Sequence, residues 1–511
     1  MTEEKTSASC HVPSFVLGST LLGAVLLAYS QTYAFAWDEG FHLLAANLIK
    51  SGKTPYLDFV FAQTPLNAYW NAAWMRILGE SWRAIHAVDA LLTTAAIVLA
   101  ADFVRVRVSS VDDTRFHNWC TASVLMVLVF AGANIDTVEF GTIGQAYALG
   151  LLLIVCAFRL TVASMRPTPA PGDRVRPLLL GAAGCLAGAA AGSTLLTAAA
   201  APVLLIWALF YSPARKRLAF GASFIAGAAI SLLPLLALFA QSPARVIFDV
   251  FRYHMFYRRS DWPGATQHDL EMFTSWLESP QALILGILAV TGMWFVAKKS
   301  GWDRERSSEF YLCGWLALAM GLYVSTAHPT FTQYYIFTVP FLGILASVGL
   351  LSFVDRFPVR AGKNTGAYVW PLVAVSLLVC LNLAREIYDR RDDTAWPKME
   401  QIARKVSEVT PAGASLYADE PTYFLTKRMP PPGNEYISSH KLRLPASLSE
   451  LVHIVPQPEF DRRIAAGVYD TLETCDEEDW IKERKLDEIY RQKADVADCA
   501  VFWDKGPRAE K

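Results

Sequence analysis

The sequence predicts an α-helical, multi-spanning membrane bundle with extracytoplasmic juxtamembrane helices and a small α/β domain at its C-terminal end. Three observations predict it. About eleven apolar runs, each near the length needed to cross a roughly 30 Å hydrocarbon core, recur between residues 12 and 384. The 511 residues are 53% hydrophobic and 18% charged with a mean hydropathy of +0.28, too apolar for an ordinary soluble protein. Beyond residue 385 the composition turns polar. Residues 1–390 therefore read as the membrane-embedded domain and 391–511 as an extracytoplasmic domain. The formal net charge of −1 gives no sign of a nucleic-acid partner, and no phosphate-loop, dinucleotide-binding or metalloprotease motif is present.

The chain opens on acids and a single lysine before the run 12–30, with no small-residue cleavage site. That run reads as an uncleaved first helix. Further runs fall near 84–103, 119–133, 142–162, 177–191, 194–211, 218–240, 281–297, 310–326, 335–354 and 367–384. Orientation follows from the cations between them. Arg105 and Arg107, Arg174 and Arg176, Arg215 to Arg217, Lys298 to Arg306, and Arg356 to Lys363 share one side if the N-terminus is cytoplasmic. Residues 37–83, 134–142, 241–280, 327–334 and the tail then lie outside. The Gly/Ala-rich residues 181–202 predict close helix packing. In the tail, residues 395–409 and 460–472 read as helices, 415–418 and 500–503 as strands. Cys475 and Cys499, both outside, are candidates for a disulfide or for two buried thiols.

The first outer loop holds the centre of the reading. It is too polar to span and too rich in aromatic residues to be free, and reads as amphipathic helices at the headgroup level. Its Asp38-Glu39 pair, Thr64-Pro65-Leu66 and Tyr69-Trp70 resemble, in order and spacing, the first outer loop of the C-type (GT-C) polyprenyl-phosphate-sugar-dependent membrane glycosyltransferases. That superfamily includes protein O-mannosyltransferases and lipid A aminoarabinose transferases. The resemblance covers most of the chain. It implies transfer of a hexosyl or pentosyl group from a polyprenyl-phosphate-linked sugar donor to a lipid, glycan or protein acceptor hydroxyl, in one inverting displacement at the membrane.

Such a reaction needs a carboxylate to take the acceptor's proton and positive charge around the leaving phosphate. By the resemblance Asp38 is the base and Glu39 a supporting carboxylate or its replacement; the blander role for Asp38 is a helix N-cap. Asp136, in the second outer loop, matches a second acid of the superfamily, or caps the helix that follows it. Residues 241–268 break the charge bias by placing arginines outside. Arg245, Arg252 and Arg259 are seven apart and so share one face of an α-helix, beside Phe248, Phe251 and Met255. Arg252, His254, Arg258 and Arg259 are thus phosphate candidates, against plain attraction to anionic headgroups. Arg83 is a phosphate candidate or a snorkelling anchor. His328, Gln333 and Tyr335, in a stretch like the superfamily's late outer loop, are candidates to touch sugar or phosphate; an aromatic belt also accounts for the tyrosine. No cluster has metal-ligand spacing, so no metal ligand is assigned and no cofactor is certain. Some members of the resembled superfamily use a divalent metal ion, which leaves that question open. The rival reading is a secondary transporter or lipid-linked sugar flippase, which calls for charge and broken helices near the midplane.

Overall fold

The computed structural model describes residues 11–108, 119–165, 175–258, 264–298, 302–354, 366–391, 393, 395–436, 442–475 and 478–506. It resolves into two compact units. The first is Met1–Thr32, His86–Leu233 and Gly264–Arg391; the second is Tyr33–Ile85, Pro234–Pro263 and Asp392–Lys511. The change of unit after Arg391 lies beside the expected domain boundary, but the second unit also takes in two segments from the body of the chain.

The first unit is helical. Among the described residues, six helices are long and apolar enough to cross a membrane: Val12–Thr32, Trp82–Val108, Tyr147–Met165, Pro280–Lys298, Thr332–Val354 and Val369–Asp389. A seventh arises if Ala214–Ser231 and Leu233–Gln241, bent by 59°, form one span; Trp119–Gly132 and Leu195–Tyr211 are shorter apolar helices. Small residues bring helices together as the composition implies. A Cβ on Gly227 would collide with the Gly181 carbonyl, and one on Gly184 with that of Phe224, so Val175–Ser193 and Arg217–Ser231 pack backbone to backbone. Gly292 and Gly349 do the same for Pro280–Lys298 against Val339–Val354. Ion pairs lie inside this unit. Asp102 is bridged by Arg105 at 2.7 Å and Arg159 at 2.6 Å, and Arg107 binds Glu309.

The second unit is α/β. Its sheet runs β1 (Leu416–Tyr417), β2 (Thr471–Thr474), β4 (Cys499–Lys505) and β3 (Tyr490–Val496), with β1 parallel to β2 and the other pairs antiparallel. The helix expected over 460–472 ends early. Gln457–Ala465 is helical, Gly467 turns at φ +62°, and Thr471–Thr474 is a fully buried strand. Cys475 and Cys499 form a disulfide between the ends of β2 and β4. The helix Trp37–Lys50 departs from the expectation of a headgroup-level helix. Glu39 through Ile49 are all buried, because the tail folds over it.

Candidate active site

Adjacent acids at the start of Trp37–Lys50 have opposite surroundings. The helix begins after Ala36, in extended conformation at φ −147°, with no side-chain cap. Asp38 therefore sits inside the first turn and is not the N-cap. Its exposed carboxylate makes no hydrogen bond or ion pair among the described residues and complements the positive end of the helix. Glu39 is fully buried and accepts the Trp396 indole N–H at 3.0 Å. Trp396 in turn stacks on Trp82 at 5.4 Å. Gly40 backs onto Pro421, where a Cβ would come within 2.5 Å of the proline ring. Glu39 and Gly40 thereby fix the turn from which Asp38 projects. Arg83 is engaged nearby: it pairs with Glu400 at 2.5 Å and lies over the Trp82 ring. Arg83's hydrogen bond holds the Glu400 carboxyl below the ordinary carboxylate range.

The arginine-rich stretch is helical but not uniformly α. Pro243–Ile247 continues as a π-helix over Phe248–Tyr257. With i→i+5 hydrogen bonding, seven residues no longer make two turns, so Arg245 and Arg252 do not share the expected face. Arg245 turns into the protein, donating to Leu451 O at 2.7 Å and Leu57 O at 2.9 Å. Arg252 stays exposed, with no partner among the described residues, beside the exposed Phe251, Met255 and Phe256. Arg258 is half-buried, and Arg259 lies outside the described residues. His254 is corrected as a phosphate cation. Its Nε2 meets the Ala62 carbonyl at 2.7 Å, and burial, aided by Arg258, pushes its pKa down to about 4, so it donates as a neutral ring.

The two helices are joined within this unit. Phe41 packs on Tyr436 at 5.1 Å, whose hydroxyl lies 3.2 Å from that of Tyr253 on the π-helix. Phe61 packs on Phe41 at 5.4 Å, and its amide donates to Asp249 at 2.9 Å. Asp249, Trp396 and Tyr436 were not singled out from sequence. Asp249 alone left a trace there, as an acid within a cationic, aromatic run.

The remaining candidates belong to the first unit. Asp136 lies in the short helix Ile135–Phe140, whose cap is Asn134; the Asn134 side chain accepts from Asp136 N and Thr137 N. Capping is thus not Asp136's role. Burial, then Glu139, push its pKa up to about 7 against the pull of Arg390, which pairs with Glu139 at 2.7 Å. His328 binds the Asp269 carboxylate, which also accepts Thr330 N at 2.7 Å. Tyr335 is buried, hydrogen-bonded to Ser325 at 2.7 Å and edge-on to Trp276. Gln333 is half-buried with no hydrogen-bond partner among the described residues.

One grouping among the described residues has metal-like proximity: Glu473, Cys475 and Cys499. The disulfide leaves those sulfurs no thiolate to offer, so the grouping does not fit an ion and no chemical step is routed through one.

No family model matches the chain, and no curated protein matches it. Solved structures do. The apolar helices with their small C-terminal sheet form a fold shared with two membrane-protein structures. ArnT from Cupriavidus metallidurans bound to undecaprenyl phosphate is similar over 96% of this chain and 97% of its own, at 14% identity and TM-score 0.63. Its apo state gives TM-score 0.66 at 13% identity, over 95% and 97% of the two chains. The Archaeoglobus fulgidus oligosaccharyltransferase in the apo form matches 82% of this chain and 64% of its own, at 12% identity and TM-score 0.52. At such identities the likeness is one of fold.

Proposed function

We propose that this chain is an integral membrane glycosyltransferase that moves a sugar from a polyprenyl-phosphate carrier to an acceptor hydroxyl. The observation that carries the reading is the open carboxylate of Asp38 in the same compact unit as the open guanidinium of Arg252, their helices joined through Tyr436. Likeness of fold to ArnT, determined with undecaprenyl phosphate, along nearly the whole of both chains supports it. So does the charge bias between helices, the pattern expected if the N-terminus is cytoplasmic and the outer loops and the tail are extracytoplasmic, about eleven spans being the expected count.

In this mechanism Asp38 accepts the acceptor hydroxyl's proton as its oxygen bonds to the anomeric carbon. The bond from that carbon to the phosphate oxygen breaks on the opposite face, so the configuration inverts. Arg252 and Arg258 meet the negative charge that grows on the departing polyprenyl phosphate. Glu39 positions Asp38 through Trp396, and Asp136 serves as the second acid of the reading. By the resemblance, His328 and Gln333 touch sugar or phosphate; Tyr335 supports their segment by packing.

The test is transfer from a radiolabelled polyprenyl-phosphate sugar to an envelope acceptor fraction by the purified protein. Asp38→Asn should abolish transfer and leave carrier binding intact. Transfer at the wild-type rate in Asp38→Asn would remove this mechanism.

A further inference from the structure

Three side chains on the arginine-bearing helix grip one stretch of backbone. Arg245 donates to Leu57 O, Asp249 accepts from Phe61 N, and His254 donates to Ala62 O, at 2.9, 2.9 and 2.7 Å. Their spacings of four and then five residues follow the passage from α to π winding at Phe248, which keeps all three toward the same strand. A continuous α-helix would carry residue 254 away from residue 249's side by the width of the extra residue. Residues 57–62 are themselves tied to the helix of Asp38, since the Phe61 ring packs against Phe41 and His42. Asp249 is the middle rung, 1% exposed. Its Oδ2 takes the Phe61 amide while its Oδ1 has no hydrogen-bond partner among the described residues. Arg245 acts on this acid electrostatically but makes no ion pair with it among the described residues, and a buried acid so placed persists where its hydrogen bond is needed.

We propose that Asp249 is a positioning residue. Its carboxyl clamps the π-helix to residues 57–62 and thereby sets where Arg252 stands relative to Asp38. This rests on the proposed role of Arg252 at the carrier phosphate and adds the element that holds it. Asp249 touches no substrate. The acceptor atom, not the charge, does the holding, because burial pushes its carboxyl up to about 8, against the Phe61 amide and Arg245, and leaves it mainly neutral at physiological pH.

Asn at this position keeps an acceptor of the same reach, and Ala leaves a buried N–H unmatched. The experiment uses the full-length protein in lipid nanodiscs, with undecaprenyl phosphate as the titrated probe and hydrogen exchange of the Phe61 amide as the second readout. Asp249→Ala should weaken probe binding roughly tenfold or more and speed Phe61 exchange, while Asp249→Asn stays within about threefold of wild type in both. In transfer assays the Ala variant should raise KM for the donor more than it lowers kcat. Wild-type binding or unchanged Phe61 exchange in Asp249→Ala overturns the proposal, as does an Asn variant as impaired as Ala. A wild-type protein that does not bind undecaprenyl phosphate sinks the functional reading of Arg252, and Phe61 exchange then decides the clamp alone. Should Asp249→Ala fail to fold, His254→Ala against His254→Gln poses the same question at the Ala62 rung: loss in Ala with rescue in Gln supports the clamp, and equal behaviour overturns it.

Discussion

Two of the helix starts that carry acids, Ile135–Phe140 and Trp37–Lys50, are built in opposite ways. Ile135–Phe140 opens on a full cap: Asn134 satisfies two amides, and Gln281 takes the Ile135 N–H at 3.0 Å and returns a bond to Ala133 O. Asp136 there is crowded by Glu139 and pushed up to about 7. Trp37–Lys50 opens on Ala36 with no side-chain cap, and Asp38 faces outward. The same sequence signature, an acid just past an apolar run, yields an acid that burial and Glu139 push up to about 7 in one place and an open carboxylate in the other. Packing decides between them: Glu39 and Gly40 are locked behind Asp38 by Trp396 and Pro421, which leaves it the one acid of that turn able to meet a second molecule.

Substitutions at the two starts test that contrast. The largest effect is expected from Asp38→Asn, with transfer reduced by about 10²–10⁴-fold as for loss of a general base. Asp136→Asn should cost less and chiefly flatten the pH profile near 7; a loss as deep as that of Asp38→Asn would break the contrast. Trp396→Ala should come next, lowering stability by about 3–5 kcal/mol in thermal or denaturant unfolding, because it empties a fully buried site and leaves Glu39 without its donor.

Acid should then destabilise the second unit through its histidines. Burial pushes His42 down to about 3, and His254 sits at about 4, both below the ordinary 6.5. A depressed histidine favours the neutral folded form, so its contribution is complete above pH 6.5 and is lost as pH falls toward 4 and then 3. The melting temperature should fall across that window, and His42→Leu should flatten the decline; a melting temperature constant from pH 7 to 4 would refute it. The smallest effect belongs to Arg390→Ala. Arg390 lowers the pKa of Asp136, so its removal should move the Asp136 midpoint further above about 7, read from the pH profile of transfer.

Some local features of the proposed site could be read in advance, and the misses share a cause. The Asp38-Glu39 pair was legible as acids following an apolar run, and helices in the loop around it were legible from its mix of polar and aromatic residues. The face shared by Arg245 and Arg252 failed because it assumed 3.6 residues per turn through a segment that winds as a π-helix, while Arg259 lies outside the described residues. His254 failed as a cation because nothing local shows that Ala62, 192 positions earlier, supplies its acceptor. Strand β2 was hidden inside an expected helix because its burial comes from pairing with β4 on one side and β1 on the other.

The sequence by itself determined what depends on neighbours in the chain: which runs are apolar enough to span, where cations gather between them, and where acids fall at helix starts. Solvent preference and helical period act over a turn or two, so they are written locally. Only the tertiary structure decided which of two adjacent acids is open, which arginine is free and which is committed to carbonyls, and that Asp249 grips Phe61. Those outcomes turn on partners 188 to 357 residues away, brought together when the tail and two internal segments fold as one unit, and burial there sets both charge state and direction.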